Sequence, residues 1–529
     1  MFLRFVKRKR GSTSKEYAQI AEKYRENGKQ KTRIIDHLGS VKNEDDRERY
    51  RKIFESMIKK EKAKDSDLEK LDFDPPLDFG IIYAVRSIME KTGIFRSLSI
   101  LEKYRETAFL MIAGRIMEPG SDISLTRLYS RTYYPWAPPR IGKDDLYRCL
   151  DMIHGLKERI ELSIFKALNP DISTVHYDLT SSYFEGREDN DLVMFGYSRD
   201  KKRGKEQIVI GLVMADGIPI YHEVWPGNTV DPKTLENTLS ILKERFNIAN
   251  VIFIADRAFG RNQSLRLLDQ NVYITAAYRW DMPYRQLMAE TEFSESDLKD
   301  DLYMKEIKID AANLRDTDVN EDEKNLIRKR RYIVVYNNER EKLDLQDIGK
   351  KVDTVIGKMK DISDIKDLKK SIGKLKPFVK FTKDGPILNE NRINILKGLA
   401  GRFMIMTNAD LPIHEIVKTY KEQWKIERSF RTIKSFLEIR PVYHRKSERI
   451  RAHVFVCILS LLVSGLIEKL SRTTIRNTAE ILEDIRAVPV KSPMSMVYCS
   501  SSKKAEDLLA MMNIPPPNHI LIGALPKMK

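Results

Sequence analysis

The spacing of apolar and polar positions changes several times along the 529-residue chain. Residues 17–40 alternate around the turn signal ENGK, which predicts a β-hairpin. Residues 41–70 are dense in charge and read as a helix or linker. The paired prolines of DFDPPLDFG mark a boundary near residue 75. From 80 to 168 the apolar positions recur at helical spacing, as in KDDLYRCLDMIHGLKERIELSIFKAL. From about 173 the texture becomes α/β. TVHYDLTSSYF, GKEQIVIGLVMA and IPIYHEVWPG read as three strands, the last two joined by Asp216-Gly217. DPKTLENTLSILKERF predicts a helix over 231–246, capped by Asp231 with Pro232 at its first position. NVIFIADRAFG, 250–260, is a buried strand that ends in an acid. RNQSLRLLDQ is a short helix and VYITAAY, 272–278, a further strand. Residues 280–400 break the pattern with mixed, charged sequence such as IKDLKKSIGKLK. A strand returns at GRFMIMTN, 401–408, followed by a helix from about Pro412 to Leu437. No internal repeat stands out.

Three strands, a helix, a strand, a helix and a strand follow the order of a ribonuclease-H-like fold. The expected class is therefore α/β: a ribonuclease-H-like catalytic core with a mixed β-rich insertion, preceded by a mostly helical region. The divisions expected are 1–70 (hairpin and linker), 71–170 (helical, DNA-binding), 171–279 (first part of the core), 280–400 (insertion), 401–470 (second part of the core) and 471–529 (C-terminal, possible dimerisation). The most apolar run, Val454 to Ile467, is well short of the roughly 20 residues that span a bilayer and predicts a buried core helix; no membrane partner is expected.

Charge sharpens the picture. The formal net charge is +17, which favours a polyanionic partner, above all nucleic acid; a merely lysine-rich composition is the plainer alternative. The basic N-terminus, MFLRFVKRKR, is either an arm that touches DNA or a solvated one. Three widely spaced cysteines offer neither a disulfide framework nor a zinc module, and suit a reducing cytoplasm.

The chemistry sits on acids. Asp178 interrupts a half-buried strand, where an uncompensated carboxylate is costly. Asp256 follows VIFIA, at the strand end where open α/β sheets carry their sites. Either acid alone reads as well as a turn former. In the predicted strand order the two are neighbours, and neighbouring carboxylates call for a cation. Hard oxygen donors suit Mg²⁺. On the helix YKEQWKIERSFRTIK, the residues Tyr420, Gln423, Glu427 and Lys434 fall on one narrow face. That face suits a metal and phosphate site, or else is a solvated surface. Arg257, Arg428 and Arg431 are secondary phosphate candidates, with surface ion pairing the better reading for each taken singly. Trp424 reads as core-facing or structural.

At these residues the chain resembles the DDE-type insertion-sequence transposases of the IS-four group. Their helix signature is Tyr-x2-Arg-x3-Glu-x6-Lys; Tyr420, Glu427 and Lys434 match it, and Gln423 replaces the arginine. YDLTSSYFEG, ADRAFG and LEIRPVYHRKSERIRAHVFVCILSLL resemble further family blocks, over most of 173–470, with a weaker echo in the N-terminal hairpin. The resemblance implies a metal-binding triad of Asp178, Asp256 and Glu427, holding two Mg²⁺ (or Mn²⁺) for strand cleavage and strand transfer. It also implies an insertion between the second acid and the glutamate. DNA contacts are expected from Tyr420, Gln423, Lys434, Arg257, Arg431 and Trp280, the last by stacking on a flipped base or, more plainly, as a packed anchor. The implied partners are double-stranded DNA, as terminal inverted repeats and target, and a second copy of the chain. The implied location is the prokaryotic cytoplasm, at the nucleoid. A ribonuclease-H-like resolvase or an inactive DNA-binding relic are the alternatives.

Overall fold

The computed structural model describes the chain apart from residues 1, 11–12, 27–28, 42, 45, 49, 52–53, 55–72, 137–140, 185–189, 198–203, 249–250, 310–320, 384, 491–495 and 523–529. The tip of the expected hairpin turn and most of the expected linker lie outside the described residues. Contacts group the chain into two units, one of residues 1–90, 109–146 and 467–529, the other of 91–108 and 147–466. Three separate stretches thus make the first unit, and its C-terminal stretch belongs with the N-terminal one.

In the first unit, β1 (Phe2–Arg10), β2 (Thr13–Glu26) and β3 (Lys29–Val41) form an antiparallel sheet in that order. The basic N-terminus is therefore a strand rather than an arm: Phe2, Phe5 and Val6 pair with Ala21, Ala18 and Tyr17. Helices follow at Gly80–Lys91 and Arg105–Met117, after the two-residue strand β4 (Leu77–Asp78).

The second unit is built on one mixed sheet. Its strands are β5 (Thr174–Tyr183), β6 (Met194–Phe195), β7 (Glu206–Ala215), β8 (Ile218–Pro226), β9 (Ile252–Ala255), β10 (Val272–Ala276), β11 (Leu298–Lys299), β12 (Leu302–Ile307) and β13 (Arg331–Tyr336). Next come β14 (Val379–Thr382) and β15 (Gly385–Leu388), which form a ribbon of their own, and β16 (Arg402–Thr407), which rejoins the sheet. The order from β8 is β8-β7-β5-β9-β10-β16-β13-β12-β11. Its first five strands, three antiparallel strands followed by two parallel additions, are the ribonuclease-H-like arrangement. Asp216 (φ 48°) and Gly217 (φ 75°) make the two-residue turn between β7 and β8, the doubly left-handed geometry that matches strand twist. The 231–246 helix is capped one residue earlier than expected. Val230 takes the cap position without a side-chain bond, and Asp231 and Pro232 lie inside the first turn, where an acid still favours the helix dipole.

The insertion divides into two parts. β11 to β13 extend the core sheet through β16. The helices Asn338–Asp361, Ile365–Ile372 and Glu390–Gly398, with the β14–β15 ribbon, enclose a separate core around Val355, Leu368, Ile372 and Ile393. This second part is more helical than β-rich.

The helix Ser447–Ser471 is longer than its apolar run, because the polar residues of SERIRAH continue it. By length and composition it is able to cross a membrane, but 83% of its apolar window is buried inside the protein. Phe455 stacks on His222 of β8 at 5.0 Å between centroids. It is a core helix, as its sequence predicts.

The chain closes in the first unit with β17 (Arg486–Val490), β18 (Met496–Ser500) and β19 (Ile520–Ile522), in a sheet ordered β19-β18-β17-β4.

Candidate active site

The site begins with the register of two parallel strands. β5 and β9 pair Thr174 with Ile252 through to Tyr177 with Ala255. One further step at the same offset sets Asp178 beside Asp256, on strands about 4.8 Å apart. Side chains alternate across a sheet, so His176 and Asp178 share one face with Ile254 and Asp256. Tyr177 turns to the other face, fully buried against Phe253 and Phe259 at 5.7 and 5.3 Å. Gly260 allows the turn after Asp256 to pack closely: a Cβ there would sit 2.3 Å from the Ala276 carbonyl oxygen.

The third acid arrives on a helix that is bent. The expected single helix is two, Ile413–Lys421 and Trp424–Ser435. Between them, N–H groups of Gln423, Lys425 and Ile426 bond three residues back, to Tyr420, Glu422 and Gln423. This tightened turn carries Gln423 inward. His176 Nδ1 and Gln423 Oε1 are 3.2 Å apart, and Gln423 Nε2 donates to the Tyr177 carbonyl at 3.3 Å. Burial pushes the His176 pKa down, so the ring is neutral near pH 7 and its Nδ1–H is the natural donor. The Gln423 amide thereby fastens the start of the helix to β5, one residue from Asp178. Glu427 stands one turn further on, in the first turn of the helix, where the dipole favours a carboxylate.

Tyr420 lies in the last turn of the first of these helices. Burial is the main cause of its raised pKa, and the fields of Asp256, Glu427 and Asp178 all add to it, with Arg257 opposing. The phenol thus stays protonated, a neutral donor among carboxylates. Phe403 packs against its ring at 6.1 Å between centroids. Among the described residues, Asp256 and Glu427 enter no salt bridge. The Asp178 carboxylate accepts from the N–H of Leu179 at 2.7 Å.

The remaining expected residues are placed differently. Gln423 is buried with both ends of its amide engaged inside the protein, an arrangement that fastens the helix to β5. Arg257 follows Asp256 and is exposed. Lys434 is half-buried two turns beyond Glu427, and Arg428 and Arg431 are exposed on the same helix. Trp280 receives the Arg392 guanidinium 3.6 Å from its ring centroid, as a packed anchor does. Trp424 is not core-facing: it is 52% exposed. The buried stripe of this helix is Ile426, Phe430 and Ile433, and at about 100° per residue Trp424 lies well away from it. That spacing was available in the sequence. So was the place of His176, two residues before Asp178 on an alternating strand.

The transposase DDE domain model matches residues 178–463. The chain belongs to this family. A model of the IS1634 family transposase N-terminal domain matches residues 3–69 of the same transposase. It is an insertion-sequence DDE transposase, an enzyme that cleaves and transfers DNA strands, and the resolvase alternative falls away. A search of curated proteins finds no match. Among solved structures, a piggyBac transposase synaptic complex with hairpin DNA is similar at 8% identity and TM-score 0.37, over 82% of this chain and 78% of that one. A Mos1 transposase paired-end complex with its left transposon end is similar at 15% identity and TM-score 0.14, over 34% and 56%. The family assignment rests on the sequence models. DDE transposases use divalent metal, and the carboxylates of Asp178, Asp256 and Glu427 are of the hard-oxygen kind that fits one, two of them without an ion-pair partner among the described residues.

The positioning role of Gln423 is testable. Gln423→Ala leaves His176 Nδ1 and the Tyr177 carbonyl without this partner, a loss of about 1–3 kcal/mol. Cleavage is expected to fall with stability, while the salt dependence of DNA binding stays unchanged. A shallower salt dependence in the variant would return Gln423 to the phosphate-binding residues.

Proposed function

We propose that the transposase acts on the terminal inverted repeats of its element, with Asp178, Asp256 and Glu427 as the metal-binding triad for two Mg²⁺ ions, Mn²⁺ substituting. The observation that supports this reading is the register of β5 on β9, which sets Asp178 beside Asp256, with the Gln423 amide fastening the helix of Glu427 to β5. When bound, such ions activate the attacking oxygen and stabilise the leaving oxygen of an in-line phosphoryl displacement. The chain's own residues do the rest. Asp178 and Asp256 are fixed by strand register, and Glu427 by the Gln423 anchor. The protonated Tyr420 donates a hydrogen bond at the site and adds no negative charge. Lys434, Arg257 and Arg431 offer cations to DNA phosphates. Trp424, exposed and one turn before Glu427, presents a flat ring for a nucleobase and fits that role better than Trp280.

The wider reading has the helical stretch 71–170 contact element ends and the stretch 471–529 contribute to a homodimer on DNA. The setting is the prokaryotic cytoplasm, at the nucleoid.

Strand cleavage of an element-end duplex is expected to stop in excess EDTA and return with Mg²⁺ or Mn²⁺. Ca²⁺ is expected to support binding with little cleavage, because it does not reproduce the tight octahedral geometry of Mg²⁺. Full cleavage in EDTA would end the metal-dependent reading.

A further inference from the structure

The second part of the insertion carries a concentration of charge that the triad does not use. From Lys369 to Lys383, KKSIGKLKPFVKFTK holds six lysines and no acid. Packing sorts the stretch cleanly. Ile372, Phe378 and Val379 are buried in the separate core. Lys369, Lys370, Lys374, Lys376, Lys380 and Lys383 are all exposed. Among the described residues none of the six enters a salt bridge, although acids of this lobe pair elsewhere, as Asp347 does with Lys351 and Asp344 with Arg340. Lys369 lies over the Phe381 ring at 4.6 Å, which braces its stem. Six like charges on so short a surface repel one another, a cost that a polyanion relieves.

Topology sets this lobe at the working end of the sheet. β9 and β10 run parallel, and Asp256 follows the C-terminal end of β9. β16 is antiparallel to β10 and β13 antiparallel to β16, so the C-terminal end of β13 and the start of β16 lie at that same end. The lobe leaves from the first and returns to the second, tied at its base where Asn337 N–H donates to the Gly401 carbonyl at 3.0 Å. Three strand spacings, about 15 Å, separate β13 from β9. Arg279, just beyond β10, ties this end of the sheet to the lobe's return: its guanidinium donates to the Leu399 carbonyl.

We propose that this lysine face is a clamp for the phosphate backbone of duplex DNA, gripping the double helix as it leaves the catalytic carboxylates. The proposal rests on the DNA-cleaving function and adds to it a second, sequence-independent contact surface. Lysines on an apolar-cored lobe suit backbone binding, which needs charge and no base contacts.

The test uses the full chain with Lys370, Lys374, Lys376 and Lys380 all replaced by Gln, on an element-end duplex that extends well beyond the cleavage point. Each lost phosphate contact lowers the magnitude of the log K against log salt slope by about 0.9, so the four replacements are expected to lower it by about 3.6. Cleavage at saturating protein should persist. Acetylation of the wild-type chain, with and without duplex, gives a second measure: these lysines should be protected by DNA. An unchanged slope together with equal acetylation overturns the clamp. Glu427→Gln keeps the two ideas apart: if it still cleaves, the triad assignment fails, while its salt slope continues to report on the lysines.

Discussion

Asp256→Ala and Glu427→Gln chains are expected to bind element-end DNA with near wild-type affinity and to leave it uncut. Each substitution takes away one hard-oxygen donor of the proposed triad. Neither breaks a salt bridge among the described residues, and neither lies in a packed core: Asp256 is half-buried and Glu427 exposed. The fold therefore has little reason to respond. Catalysis has every reason, because removing one of a set of groups that act as a unit costs nearly as much as removing all of them. A fall of at least about a thousandfold in single-turnover cleavage is the expected scale for loss of a transition-state electrostatic group. Measurable cleavage by Asp256→Ala at near the wild-type rate would take Asp256 out of the triad.

The second large effect is on stability. Arg330 and Asp269 form a buried ion pair with side chains 2% and 4% exposed. Arg330 Nε donates to Asp269 Oδ1 at 3.0 Å, and the Tyr273 hydroxyl donates to the same oxygen at 3.0 Å. Arg330 immediately precedes β13 and Asp269 precedes β10, so the pair fastens the sheet extension to the core. Arg330→Ala strands a buried carboxylate, and breaking such a pair costs about 3–5 kcal/mol. The thermal midpoint should drop clearly. The double variant Arg330→Met with Asp269→Leu should recover much of the loss, since apolar replacement of a whole buried pair is often neutral. A midpoint unmoved in Arg330→Ala would show that the pair is not a fastening at all.

Much of the core was legible because its signals are local. VIFIA followed by an acid gave a strand and its end. Alternation in HYDLT gave Asp178 a face, and the DG pair gave a hairpin. The register that makes 178 and 256 neighbours is not written in either segment; it followed only from the strand order. The bend at Gln423 was invisible for a plain reason: its backbone, at φ −53° and ψ −25°, stays in the helical region, so no glycine or proline marks it. Gln423 itself looked like a weakened arginine because its buried partner, the Tyr177 carbonyl, lies 246 positions away. β1 was hidden by its own lysines and arginines, which read as a solvated arm. The division of the insertion into a sheet extension and a separate core depends on β13 finding β16, again a non-local pairing.

One such pairing bears on how the chain is made. Arg486 of β17 bonds Asp78 of β4 across 408 positions. A ribosome releases β4 long before the strand that completes its sheet exists. Until then the early part of the first unit has an open strand edge, of the kind that invites pairing with other chains. Domains usually fold as they emerge; here the catalytic sheet can finish first, while the unit that starts the chain is finished last.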